Sequence, residues 1–142
     1  MGKRYFTTSA TGVGGRTGTV HSNNSELTFK LSRPVSFKGE GGDGTNPEEL
    51  FSLGYAACFG SAFQSVARKN KSEAKAEITV EIAMNDDDTN GGYKLSAKIS
   101  GLIRGAEQAE AERLMQLAHE MCPYSKATRG NIEVELETKT EA

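Results

Sequence analysis

Residues 45–64 read TNPEELFSLGYAACFGSAFQ, and this stretch decides the fold. Asn46 suits a helix N-cap, Pro47 stands where the first helical residue belongs, and Glu49 three residues after the cap completes a capping box. Glu48 and Glu49 place negative charge at the positive end of the helix dipole. Phe51, Tyr55, Phe59 and Phe63 recur four apart and make one aromatic ridge. Gly54, Cys58, Ser61 and Ser65, with Ala57 and Ala62 beside them, form a different face. Its small side chains let another helix or backbone come close. The spacing predicts a helix ending near Lys69-Asn70, with Cys58 well inside it. A small buried core residue is the commoner use of such a cysteine. A reactive thiol is the alternative, and it needs support from elsewhere in the chain.

Upstream, RYFTTS at 4–9 is short and β-prone, and TGVGGRTGTV at 11–20 is rich in turn residues. Arg16 lies there among Gly14, Gly15 and Gly18. The segment has neither the GxGxxG spacing nor a following GK[ST], so it is no phosphate loop. Glycines around an arginine allow the backbone to hold that side chain at an unusual angle, although on spacing alone a solvated hairpin arginine fits better. Residues 18–22 and 26–31 read as a hairpin across Ser22-Asn23-Asn24-Ser25. The glycine-rich loop 38–45 that follows Pro34 reads as mobile.

Downstream, Ile78, Val80, Ile82 and Met84 share one strand face. After the turn DDDTNGG, Tyr93, Leu95, Ala97 and Ile99 share another, which predicts an antiparallel hairpin with one buried side. Asp86-Asp87-Asp88 lacks the spaced ligands of a calcium loop and reads as a solvated turn. A second helix spans roughly 106–121, with Leu114, Leu117, Ala118 and Met121 as its apolar stripe. His119 lies beside that stripe, with nothing to pair with it locally, and reads as a boundary residue. The pattern breaks at CPYSKATRGN, and Ile132, Val134 and Leu136 alternate as a closing strand. The order βββ-α-ββ-α-β predicts an α+β protein, with antiparallel strands packed on the two helices.

A length of 142 residues fits one domain, 1–142, with room for a real core. The 25% charged and 36% hydrophobic fractions suit a soluble globular chain, and a net charge of −2 offers nucleic acid no basic surface. The start, MGKRYFTTSAT, has no signal-peptide core; no run reads as membrane-spanning, and Phe6 spoils a myristoylation motif. Two cysteines, Cys58 and Cys122, without a secretion signal point to a reducing, cytoplasmic setting and to transient redox use. They form no CxxC, and with His21 and His119 they make no metal-ligand pattern.

If the two thiols meet, one attacks and the other resolves its oxidised sulfur as a disulfide. An attacking thiol must be a thiolate, which needs nearby positive charge or a helix N-terminus. Cys58 lies too deep in its helix for the dipole to help, so it needs an arginine. Cys122 either ends the second helix, an unfavourable place for a thiolate, or caps a new turn begun by Pro123, a favourable one. These arguments leave open which cysteine attacks.

TNPEELFSLGYAACF, then CPYSKATRGN 64 positions after the first cysteine, with GGRTG near the start, resembles the Ohr (organic hydroperoxide resistance) proteins of the OsmC/Ohr family. The resemblance covers nearly the whole chain in the same order. It implies an OsmC/Ohr-like α+β fold, with antiparallel sheets packed around two main helices in an intertwined homodimer with two equivalent sites. It also implies a thiol-dependent peroxidase that reduces alkyl, aryl or fatty acid hydroperoxides to alcohols. Cys58 would then be the peroxidatic cysteine, Cys122 the resolving one, Arg16 the thiolate-stabilising arginine, and Glu48 the carboxylate that holds it. The family reductant is a dihydrolipoyl group on a protein, with no metal, haem or flavin. Thr17 departs from the acidic residue common after the arginine, a change that would loosen that arginine's positioning without removing a catalytic group.

Glu48 and Cys58 stand ten residues apart, ~15 Å along a straight helix. Membership of one site therefore calls for a second copy whose Glu48 serves the first copy's Cys58. Most of the aromatic ridge reads as core, and Phe51 and Tyr55 are the candidates to line an apolar pocket for the substrate's tail. Two rival readings remain: an OsmC-like peroxidase of different peroxide preference, and a non-catalytic dimer that binds an apolar ligand.

Overall fold

The computed structural model describes residues 2–142. They separate into two compact units, the first reaching Leu50 and the second Phe51–Ala142, where the sequence predicts one domain. The division falls inside a helix, where no composition shift or linker marks it.

In the first unit β1 (Ala10–Val13), β2 (Thr19–Ser22) and β3 (Thr28–Lys30) form an antiparallel sheet in that order. Residues 4–9 are not the strand that their composition suggests. The side chain of Asn24 takes hydrogen bonds from the Thr8 hydroxyl (3.1 Å) and the Ser9 N–H (2.9 Å), and ladder pairing starts only at Ala10. The predicted turn forms as read: Ser22 Oγ accepts the N–H groups of Asn24 (3.0 Å) and Ser25 (3.1 Å). The loop after β3 makes hydrogen bonds back to β3 and the residues that follow it. Gly41 N–H donates to Arg33 O (2.9 Å), Gly44 N–H to Ser32 Oγ (2.8 Å) and Thr45 N–H to Lys30 O (2.9 Å).

Helix α1 (Pro47–Lys69) starts as its sequence dictates, with Asn46 Oδ1 accepting the Glu49 N–H at 2.8 Å. The Glu49 carboxylate takes the Thr45 hydroxyl. By length and composition alone α1 is long and apolar enough to cross a membrane, which corrects the expectation that no run is. Its Tyr55, Phe59, Phe63 and Val66 are instead buried in the protein.

The second unit holds β4 (Lys75–Asp86), β5 (Tyr93–Arg104), α2 (Gln108–Met121), α3 (Pro123–Thr128) and β6 (Val134–Glu141). β4 and β5 form the predicted antiparallel hairpin, and β5 is the middle strand of the sheet. The acidic turn closes on itself, with Asp87 Oδ1 accepting the N–H groups of Thr89 (3.0 Å) and Asn90 (3.1 Å). The closing strand corrects the expectation of wholly antiparallel sheets: β6 runs parallel to β5, from Ala97↔Val134 to Arg104↔Glu141. Two helices intervene between them, and only a crossover of that length can return a strand in the same direction.

Ile99 and Ile103 of β5 meet Tyr55, Phe59 and Phe63 of α1 and Leu114 and Ala118 of α2 in one core. The stripe of α2 differs from the predicted one. Ala111 and Met115 are buried beside Leu114 and Ala118, whereas Met121 is exposed because the helix ends there and the chain turns away.

Candidate active site

α1 carries Cys58 on its partly buried side, packed against the core. Cys122 sits where α2 stops and α3 starts, and it is both the C-cap of one and the N-cap of the other, with Pro123 as the first residue of α3. Both alternatives that the sequence leaves open for this residue are thus realised together. The two sulfurs lie 3.5 Å apart as free thiols. Their contraction to a disulfide of ~2.05 Å needs only a small movement of each side chain. Cys122 has 0% exposure, whereas Cys58 retains accessible surface. Only Cys58 can meet a reactant arriving from solvent.

Burial pushes the Cys58 thiol above its ordinary pKa. A hydrogen bond from the Tyr124 backbone N–H, in the first turn of α3, opposes that rise. The neighbouring Cys122 sulfur adds to it.

The second cluster belongs to the first unit. Gly14 and Gly15 take left-handed φ values of 84° and 58°, and a Cβ on Gly18 would lie 1.8 Å from Val13 O. The chain therefore folds into a tight turn, Gly15–Thr17, that projects Arg16. Arg16 grips Glu48 with both terminal nitrogens, Nη1–Oε1 at 2.7 Å and Nη2–Oε2 at 3.0 Å. This hydrogen-bonded pairing raises the Arg16 pKa and lowers that of Glu48. The guanidinium also stands 5.2 Å from the centre of the Phe37 ring, and Arg33 lies 4.9 Å from the same ring while donating from Nε to Phe37 O (2.7 Å). Nothing in the sequence pattern points to Phe37.

Of the two aromatic candidates, Phe51 is half-buried and stacks on Tyr124 with ring centroids 5.8 Å apart. Tyr55 has 0% exposure and packs behind them at 5.8 Å from Phe51 and 5.5 Å from Tyr124. In the single chain it backs this aromatic wall and has no exposed surface of its own. A four-residue period places it on the right face of the helix but cannot tell depth.

The Tyr55 hydroxyl reaches Ser125 Oγ (2.8 Å) and Thr128 Oγ1 (3.1 Å). His119 is not without a partner: its Nδ1 lies 2.8 Å from the same Ser125 hydroxyl. Burial and the nearby Arg129 lower the His119 pKa. Ser125 and Tyr124 stand in the CPYS motif, so the motif was the available signal for both.

Known proteins resemble this chain over nearly its whole length. The family model described as OsmC-like protein matches residues 39–137. The organic hydroperoxide resistance protein OhrB of Bacillus subtilis is 42% identical over 134 residues, which cover 94% of this chain and 98% of that protein. The crystal structure of an organic hydroperoxide resistance protein from Elizabethkingia anophelis, with thiocyanate bound, superposes with a TM-score of 0.91 at 39% identity. It covers 98% of this chain and 99% of its own. A structure from Vibrio cholerae, a putative organic hydroperoxide resistance protein with captopril in one of its active sites, gives a TM-score of 0.87 at 38% identity. That match covers 96% of this chain and 93% of the other.

Proposed function

The chain belongs to the OsmC-like family, in its organic hydroperoxide resistance group, and from that premise we propose that it is a cysteine peroxidase for organic hydroperoxides. The observation that carries this reading is the pair of free thiols 3.5 Å apart, of which only Cys58 has accessible surface. The Cys58 thiolate attacks the peroxide; an S–O bond forms, the O–O bond breaks, and the alkoxide leaves as the alcohol after protonation. Cys122 then attacks the Cys58 sulfenic acid to give the disulfide and water. An external dithiol, a dihydrolipoyl group on a partner protein, takes the disulfide back to two thiols and is itself oxidised.

Arg16 is the cation that this thiolate needs, held by Glu48. Within a single chain Cys58 is a weaker acid than an ordinary thiol. In this reading the peroxidase works as a homodimer in which Arg16 and Glu48 of one copy serve Cys58 of the other, because Glu48 and Cys58 stand ten residues apart on one helix. Phe51 and Tyr124 give the substrate's tail apolar surface, which hydrogen peroxide cannot use. Free thiols of this kind persist in a reducing cytoplasm. The raised Cys58 thiol is also what an inert apolar-ligand site would show, so that reading stands as the rival.

Mass spectrometry of the reduced protein after one equivalent of an alkyl hydroperoxide separates the two. The expected result is prompt loss of two hydrogens in the wild type, with a sulfenic adduct kept only by Cys122→Ser and no reaction in Cys58→Ser. An unchanged wild-type mass would sink the enzyme and favour the binder.

A further inference from the structure

Each cysteine of the pair has a hydrogen-bonded neighbour three residues away. Tyr55 precedes Cys58 by three positions on α1, and Ser125 follows Cys122 by three on α3. Positions three apart share a helix face, so the Tyr55–Ser125 bond at 2.8 Å lies one turn from the sulfur contact at 3.5 Å. α3 has six residues, far too few to hold its own place. Its register against α1 must come from what it touches.

The proton count accommodates this contact within a fully satisfied network. Four contacts join the group: Thr128 Oγ1 to Ser125 O (3.2 Å), Tyr55 to Thr128, Tyr55 to Ser125, and Ser125 to His119 Nδ1. Three hydroxyls and one imidazole supply the donors. One assignment gives every contact a proton: Thr128 donates to Ser125 O, Tyr55 to Thr128, Ser125 to Tyr55, and His119 Nδ1–H to Ser125. All of Tyr55, Ser125 and Thr128 are buried, so a broken link leaves a polar atom with no water to replace its partner. Arg129 fixes the other side, donating from Nη2 to His119 O (3.1 Å) and Glu120 O (3.3 Å) at the end of α2.

We propose that the Tyr55–Ser125 hydrogen bond is the positioning device for disulfide closure: it holds α3 in the register that keeps Cys122 within reach of Cys58. The step it serves, in the peroxidase reading on which its physiological role rests, is attack of Cys122 sulfur on the Cys58 sulfenic acid. The S–S bond forms, the S–O bond breaks, the Cys122 sulfur is oxidised, the Cys58 sulfur is reduced, and the Cys122 proton leaves with the hydroxyl as water. In this role Tyr55 and Ser125 are positioning residues that act through the placement of Cys122.

The test is the effective concentration of the thiol pair, read from its equilibrium with dithiothreitol after closure by the general thiol oxidant diamide, so no hydroperoxide is needed. Tyr55→Phe and Ser125→Ala are each expected to lower it about tenfold, the worth of one buried hydrogen bond. The double variant is expected to lose less than the two single losses combined, because the bond they share is already absent in each. Thr128→Val destabilises the same network yet leaves Tyr55 free to donate to Ser125, and is expected to stay within twofold of wild type. Equal losses in all three variants would reduce the network to ordinary core stability, and no loss in Ser125→Ala would overturn the proposal outright. A wild type that closes with diamide but ignores alkyl hydroperoxides would leave this positioning role standing and remove the peroxidase reading instead.

Discussion

Cys58 is a weak acid in the single chain because burial around its sulfur outweighs the one N–H that Tyr124 offers. If a partner's Arg16 supplies the missing charge, Arg16→Ala should cut the second-order rate with an alkyl hydroperoxide by roughly a hundredfold, as for loss of one preorganised electrostatic donor. The same change should move the pH midpoint of iodoacetamide labelling of Cys58 upward. An unshifted midpoint would show that Arg16 does not face the thiol. Glu48 makes a separate claim on stability. Arg16 holds its carboxyl below the usual value, so its contribution is complete above about pH 4.3, the unfolded glutamate value, and is lost as pH falls through the lower folded value. Urea unfolding should therefore show Glu48→Gln less stable than wild type by about 1 kcal/mol at pH 7, with the gap closing in acid. Single residues were legible very unevenly. The pairing of Arg16 with Glu48 is legible only through motif resemblance, since glycines around an arginine do not reveal that it grips a carboxylate 32 positions away. The depth of Tyr55 and the partner of His119 depend on α3 folding back over α1, a long-range event that no local spacing records.

Elements were legible where local and tertiary preferences agree. α1 announces itself through its cap, and the β4–β5 hairpin through a strict two-residue alternation around a turn-rich loop. Misreadings cluster where a neighbour decides. The strand tendency of 4–9 gives way to the side chains of Asn23 and Asn24, and the direction of β6 depends on where the helical crossover from β5 returns the chain. The glycine turn around Arg16 is the element whose geometry leaves least freedom. A methyl on Gly18 would enter the Val13 carbonyl, which is backbone and cannot rotate aside. Gly18→Ala should therefore destabilise the protein by about 2–4 kcal/mol in chemical denaturation, and should weaken peroxide reduction along with it by displacing Arg16. Gly54 tests the other site in a milder way. A Cβ there would meet the Tyr124 hydroxyl oxygen at 2.5 Å and its ring at 3.1 Å. Alanine's gain in helix propensity, ~1 kcal/mol, is opposed by a ring that must leave its stack on Phe51. Gly54→Ala is expected to lower the unfolding midpoint, and a raised midpoint would mean that Tyr124 moves freely.

At the scale of the molecule, one chain leaves apolar surface that its own fold does not cover. Leu53 on α1 is 59% exposed, with Ala57 and Ser61 exposed further along the same helix. The first unit opens an apolar hollow of about 200 Å³ lined by Val20, Leu27, Phe29 and Leu50. The small-residue face of α1, with Glu48 and Cys58 on one helix but in different units, is what an intertwined pair would require. Sedimentation should then find a dimer, and Leu53→Glu should weaken it. The decisive experiment is complementation. Cys58→Ser and Arg16→Ala dimers are each expected to be nearly inactive, for opposite reasons. After the two are unfolded, mixed and refolded, half of the dimers are mixed by random pairing. If the sites are shared across the interface, each mixed dimer holds one site with an intact Cys58 facing an intact Arg16, and one site lacking both. Activity should return to about a quarter of the wild-type level per subunit, because the sites of a twofold dimer are equivalent and only one of two is whole. Sites contained within single chains predict no recovery at all, since every chain would still carry its own defect. The two outcomes therefore separate sites shared across an interface from sites contained within single chains.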